Sequence, residues 1–64
     1  MTVAPLVFLI AGEPSGDVLG GRLMASLDHL TGGHVRFAGV GGPNMQSHGL
    51  TSLFPMDELT VMGV

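Results

Sequence analysis

Residues 6–11 read LVFLIA, apolar at every position and rich in strand formers. A short run without alternation suits a strand buried on both faces, as in a parallel sheet. From Asp17 the period changes. Leu19, Leu23, Leu27 and Leu30 recur at helical spacing, Val18 widens the stripe, and Arg22, Ser26, Asp28 and His29 fall on other faces. This pattern predicts an amphipathic helix with its apolar stripe aimed at a sheet. Gly32-Gly33 ends it, because glycine readily takes the left-handed conformation that closes a helix. HVRFAGV, residues 34–40, predicts a second strand. Strand, helix, strand is a βαβ unit, so the expected class is α/β with parallel strands and a right-handed crossover.

The rest of the chain is shorter in its elements. Pro43 suits the first turn of a short helix over residues 43–48, where its missing N–H costs nothing, and Gly49 would cap it. LTSLF, residues 50–54, reads as a third short strand, and residues 55–59 as a one-turn helix or a turn. Met56, Leu59, Val61 and Met62 read as core residues, or as residues covered by further chain, rather than as an acyl pocket.

A chain of 64 residues has a marginal core of its own. It has no cysteine for a disulfide staple, which fits a reducing cytosol. His29, His34 and His48 lack the spacing of a helical metal pair, so no metal site is expected. Charged residues make up only 11% of the chain, and a surface so poor in charge is expected to be covered by further chain, a partner or a membrane. The apolar ending ELTVMGV points the same way, to a fragment of a larger protein. Two arginines, no lysine and five acids leave a net charge of −3, which argues against a nucleic-acid partner. The apolar run at the N-terminus is too short to span a bilayer and lacks the basic flank of a signal peptide.

In open parallel sheets, ligands bind at the carboxyl ends of the strands. Two glycine-rich loops would meet there, Gly12–Gly16 and Gly39–Gly42. Glycine lets backbone approach a ligand, and a helix N-terminus offers N–H groups and partial positive charge to a phosphate or sugar. The first loop reads G-E-P-S-G-D, which is not the dinucleotide fingerprint, not a P-loop (there is no lysine) and not a nucleophile elbow. Ser15 has an ordinary reading as a helix N-cap, Asp17 as a first-turn acid, and Gly41-Gly42 as a tight strand–helix turn. Glu13 stands apart as a carboxylate at the mouth of the sheet with few cations to pair with.

The order of the pieces carries more. AGEPSGDVLGGRLMASL, FAGVGGPNMQSHGL and MDELTVMGV, in that sequence, resemble the opening of the lipid-A-disaccharide synthase family, with its blocks G-E-x-S-G-D-x-x-G, G-[VI]-G-G-P-x-M-x-x-x-G and M-x-E-L-[AS]-V-M-G. The resemblance implies a Rossmann-like βαβ unit that starts the N-terminal, acceptor-side domain of a B-type glycosyltransferase fold. The nucleotide-sugar domain would follow beyond residue 64. It implies an inverting transferase that joins UDP-2,3-diacylglucosamine to 2,3-diacylglucosamine 1-phosphate, giving lipid A disaccharide 1-phosphate and UDP. The setting implied is cytoplasmic, peripheral to the inner membrane of a Gram-negative bacterium, with no cofactor. Gly12, Glu13, Ser15, Gly16, Asp17, Gly41 and Gly42 would then face substrate. The general base would lie beyond residue 64, leaving the segment inactive alone. The competing expectations are a non-catalytic βαβ interaction module and another nucleotide-sugar-binding domain of the same fold.

Overall fold

The computed structural model describes residues 3–62, with side chains as far as Leu59. The elements in chain order are β1 (Leu6–Ile10), α1 (Pro14–Thr31), β2 (Arg36–Val40), α2 (Pro43–Ser47) and α3 (Met56–Met62). β1 and β2 pair in parallel, with Leu6 opposite Arg36, Phe8 opposite Ala38 and Ile10 opposite Val40. Parallel neighbours cannot be joined by a tight turn, and the 18-residue α1 supplies the connection. The expected βαβ unit is present. Backbone bonds lengthen the pairing at both ends: Arg36 N–H to the Pro5 carbonyl and Ala11 N–H to the Val40 carbonyl, each 2.8 Å.

α1 begins three residues before the change in hydrophobic period, so residues 14–16 are helix rather than loop. Pro14 is the reason: its φ suits the first helical position, and no intrahelical bond needs its N–H. The helix ends as expected, with Gly32 left-handed at φ 62°. The Gly32 N–H donates to the His29 carbonyl at 3.3 Å, and the Gly33 N–H to the Asp28 carbonyl at 2.8 Å.

The leucine stripe does not face the sheet. Leu19, Leu23 and Leu30 are 65, 47 and 78% exposed. The buried residues of α1 are Asp17, Gly21 and Met24, and with Gly20 they fall at i, i+3, i+4 and i+7, a helical face in their own right. Close packing selects this face. A Cβ on Gly20 would lie 2.6 Å from the Met45 sulfur, and one on Gly21 would lie 3.3 Å from Asn44 Cβ. The paired glycines let α2 settle against α1. Met24 and Met45 are fully buried and form a core with Ala11 and Leu50, against which Leu9, Phe37 and Met56 pack. Each such methionine contributes about 1.5–3 kcal/mol by burial.

Three further expectations change. β1 is covered on one face only: Leu9 turns to the core, while Leu6, Phe8 and Ile10 on the opposite face are exposed. Residues 50–54 make a single parallel bridge, Gly39 to Ser52, rather than a strand. The Ser52 hydroxyl donates to the Phe54 carbonyl at 2.6 Å, and such a local bond bends the chain out of an extended path. The one-turn helix or turn expected at residues 55–59 is a helix that runs on past one turn, α3, to Met62. Met56 packs on the core as expected, and Leu59 is half-buried. Val61 and Met62 lie beyond the described side chains.

Gly39 sits inside β2 at φ 134°, and a Cβ there would run into the Leu9 carbonyl of the paired strand. Gly32 is also left-handed but opens onto free space. Urea titration is therefore expected to separate two variants. Gly32→Ala should cost about 1–2 kcal/mol for the backbone alone, and Gly39→Ala distinctly more, since the neighbouring strand must also move. Equal losses would contradict the close strand contact.

Candidate functional site

Because β1 and β2 run the same way, the segments that follow them leave one edge of the sheet together. From β1 come Ala11, Gly12 and Glu13, then the first turn of α1. From β2 come Gly41 and Gly42, then α2. α3 lies beside them: the Leu59 side chain would lie 3.5 Å from a Cβ on Gly12, and the Met56 methyl 3.1 Å from one on Gly42. The three sequence blocks thus converge on one edge.

Asp17 lies at the centre of this convergence. Its side chain is 2% exposed. One oxygen accepts the backbone N–H groups of Gly42 and Met45, each at 2.9 Å. The other accepts the Asn44 backbone N–H at 2.9 Å and the Asn44 side-chain amide at 3.0 Å. These backbone donors belong to the start of α2, whose N-cap, Gly42, has no side chain to offer. Asp17 therefore serves α2, a helix distant in sequence, rather than only the dipole of its own. Burial works to raise the Asp17 carboxyl, but the N–H groups of Met45, Asn44 and Gly42 together with the Asn44 amide outweigh it, and the pKa stands below the ordinary 3.8.

The other expected residues divide between the surface and the packing. Glu13 is exposed and is the N-cap residue of α1, without a side-chain capping bond. Ser15 is exposed in the first turn rather than at the cap, and its hydroxyl donates to a Glu13 carboxylate oxygen at 3.3 Å. Gly16 lies against Ala11, 3.4 Å from Ala11 Cβ at its own missing Cβ. Gly41 and Gly42 are buried. A Cβ on Gly41 would lie 2.6 Å from the Met45 sulfur and 2.8 Å from the Leu50 side chain, and one on Gly42 would lie 2.9 Å from an Asp17 oxygen. The Gly41 N–H donates to the Ser52 hydroxyl at 3.1 Å. Glycine at these two positions thus answers to protein atoms. The Glu13–Ser15 pair is exposed at this edge, beside the positive end of α1.

Sequence reasoning did not single out Asn44, Met45, Gly20 or Ser52 individually. Asn44 and Met45 belong to the second block, and Gly20 closes the first, so block membership was the available signal. Among the described residues, no three His, Cys, Asp or Glu side chains come together to hold a metal ion. A hollow of about 440 Å³ lined by Met24, Ala25, Asp28, Ser47, His48 and Gly49 opens along the α1–α2 seam, well down α1 from the glycine edge. No helix among the described residues is long and apolar enough to cross a membrane.

A parallel βαβ unit with glycine loops at its carboxyl edge is the opening of a Rossmann-like α/β domain. The family profile described as lipid-A-disaccharide synthetase matches residues 7–64, and the chain belongs to that family. The lipid-A-disaccharide synthase of Rhodospirillum centenum is 68% identical over 59 residues, 92% of this chain and 15% of that protein. That of Paramagnetospirillum magneticum is 66% identical over the same shares. A probable mitochondrial lipid-A-disaccharide synthase of Arabidopsis thaliana is 57% identical over 91% of this chain and 13% of its own length. The chain thus spans about 15% of the length of the curated relatives it matches.

A lowered carboxyl pKa stabilises the fold only while the group is ionised. The Asp17 contribution is therefore expected in full above the unfolded value, and lost as pH falls through that value towards the lower folded one. Thermal midpoints taken between about pH 6 and pH 2 should fall more steeply for the parent than for Asp17→Asn. Parallel curves would remove Asp17 as a source of acid sensitivity.

Proposed function

We propose that residues 1–64 are the first part of the N-terminal, acceptor-side domain of a lipid-A-disaccharide synthase, and that a nucleotide-sugar domain completes the enzyme. The reaction is an inverting transfer. The 6-hydroxyl oxygen of 2,3-diacylglucosamine 1-phosphate attacks the anomeric carbon of UDP-2,3-diacylglucosamine, the bond from that carbon to the diphosphate breaks, and UDP leaves. The attacking hydroxyl gives its proton to a base supplied from beyond residue 64. The observation that carries the reading is the convergence of all three sequence blocks on the carboxyl edge of the sheet.

Glu13 accepts a hydrogen bond from a sugar hydroxyl, with the Ser15 hydroxyl holding the carboxylate in place. The N-terminal end of α1 favours a phosphate oxygen nearby. Gly12 allows the loop its close course, Gly16 lets the first turn of α1 pack on Ala11, and Asp17, Gly41 and Gly42 shape the facing wall from within. The acylated substrates put the work at a membrane surface, and the cytoplasmic face of the inner membrane is the proposed location. The exposed residues of β1 and α1 are the faces on which the remainder of the synthase packs.

The test is a chimera in which residues 1–64 replace the matching segment of the Rhodospirillum centenum synthase. It should form disaccharide 1-phosphate and UDP from the two precursors at a rate near the parent enzyme; a folded chimera without product would contradict the assignment. In it, Glu13→Gln should lower kcat/KM about ten- to a hundred-fold, the worth of a hydrogen bond to a charged acceptor. A value within a few-fold of the unsubstituted chimera would remove Glu13 from the site.

A further inference from the structure

The transferase reading leaves Asp17 without chemistry of its own, since a carboxylate that is 2% exposed cannot meet a sugar. We propose that Asp17 is a positioning residue: it holds the second glycine loop, with the start of α2, in register with the first loop, and so sets where Glu13 stands relative to the Gly41–Pro43 backbone. The proposal rests on the reading of this edge as part of a transferase site.

Three observations carry it. The four donors filling the Asp17 carboxylate come from Gly42, Asn44 and Met45, so one side chain ties down three residues of the second loop and helix. The Asp17 backbone is bonded to the end of the first loop, its N–H donating to the Glu13 carbonyl at 3.1 Å as the first intrahelical bond of α1. Beside the β1–β2 pairing and the packing of α3 on Gly12 and Gly42, Asp17 thus links the first loop directly to the amides of the second. The surroundings also hold the carboxylate in place: an added Cβ on Gly42 would lie 2.9 Å from an Asp17 oxygen, and one on Gly20 would lie 2.6 Å from the Met45 sulfur. Both glycines thus lie in close contact with the Asp17 carboxylate or the Met45 side chain.

The chemistry of the group is specific. Each oxygen accepts two N–H bonds. An asparagine at position 17 would keep one acceptor oxygen and turn an NH₂ group towards two donors, which repel it. A glutamate would add a methylene to a closed space.

The test compares the chimera with its Asp17→Asn and Asn44→Ala variants, the second removing one of the four donors and leaving the backbone bonds. Assayed well below each thermal midpoint, Asp17→Asn should lose about ten-fold or more in kcat/KM, mainly in kcat, as expected when reacting groups are displaced rather than unbound. Asn44→Ala should lose a smaller amount in the same sense. Amide hydrogen exchange at Gly42 and Met45 should rise in the same order. If the exchange rises while kcat/KM of the folded variants stays within two-fold, the positioning role is overturned. It is equally overturned if activity returns on cooling in step with the folded fraction, since Asp17 would then only stabilise. An inactive chimera beside an active Rhodospirillum centenum enzyme would defeat the transferase reading instead. The latch would then be judged on exchange alone: Gly42 and Met45 amides protected in the parent and released in Asp17→Asn support it, and amides already unprotected in the parent overturn it.

Discussion

A single carboxylate with both oxygens filled joins the two halves of this segment. An isolated charge in an apolar interior would be costly to bury. Asp17 is tolerated there because four N–H groups replace its water, three of them from backbone that begins α2. The benefit runs both ways. A helix of five residues has little stability of its own and a glycine for its N-cap, so its first amides depend on an acceptor from elsewhere. Asp17 gains solvation from α2, and α2 gains a cap from Asp17. Around this exchange the small residues follow: Gly42 makes way for the carboxylate, and Gly20 and Gly41 make way for the buried Met45 that anchors α2 to the core.

The order of elements was legible because each boundary has a local cause. LVFLIA has no helical period, Gly32 takes the left-handed conformation that glycine adopts without steric cost, and Pro43 starts a helix where its missing N–H is harmless. Pro14 has the same signature as Pro43, and read that way it gives the true start of α1. The orientation of α1 was not legible. Hydrophobic period follows the bulky residues, and it led to Leu19, Leu23 and Leu30. Helix pairing at close range selects the smallest residues instead, and the Gly20–Gly21 pair marks that face with no hydrophobic signal. The supposed strand at residues 50–54 failed for a similar reason, because the Ser52 hydroxyl bends the backbone in a way that strand propensity does not register.

The edge of the sheet was legible from topology alone: two parallel strands release their loops on one side. Within it, Glu13 is readable as a carboxylate at the mouth of the sheet with few cations to pair with, and the structure adds that it is exposed. Asp17 was not readable in full. As a first-turn acid it has an adequate local explanation in its own helix dipole, and its partners at Gly42, Asn44 and Met45 lie 25 to 28 residues away in sequence. Only the recurrence of the blocks in order hinted that they belong together.

The charge distribution narrows what this edge contributes to the proposed reaction. Release of a diphosphate needs cationic or N–H groups where negative charge builds up. Arg22 and Arg36 are the only arginines, and there is no lysine. Arg36 opens β2 at the opposite end of the sheet, where its guanidinium donates to the Ala4 carbonyl at 3.0 Å. At the carboxyl edge, the exposed charged side chain from the two loops is the anionic Glu13, and the N-terminal end of α1 offers positive character. Such a surface suits sugar hydroxyls, which donate to a carboxylate, better than it suits a diphosphate. In the reaction proposed above, that balance favours a part for this segment in receiving and orienting a sugar over one in holding the departing nucleotide.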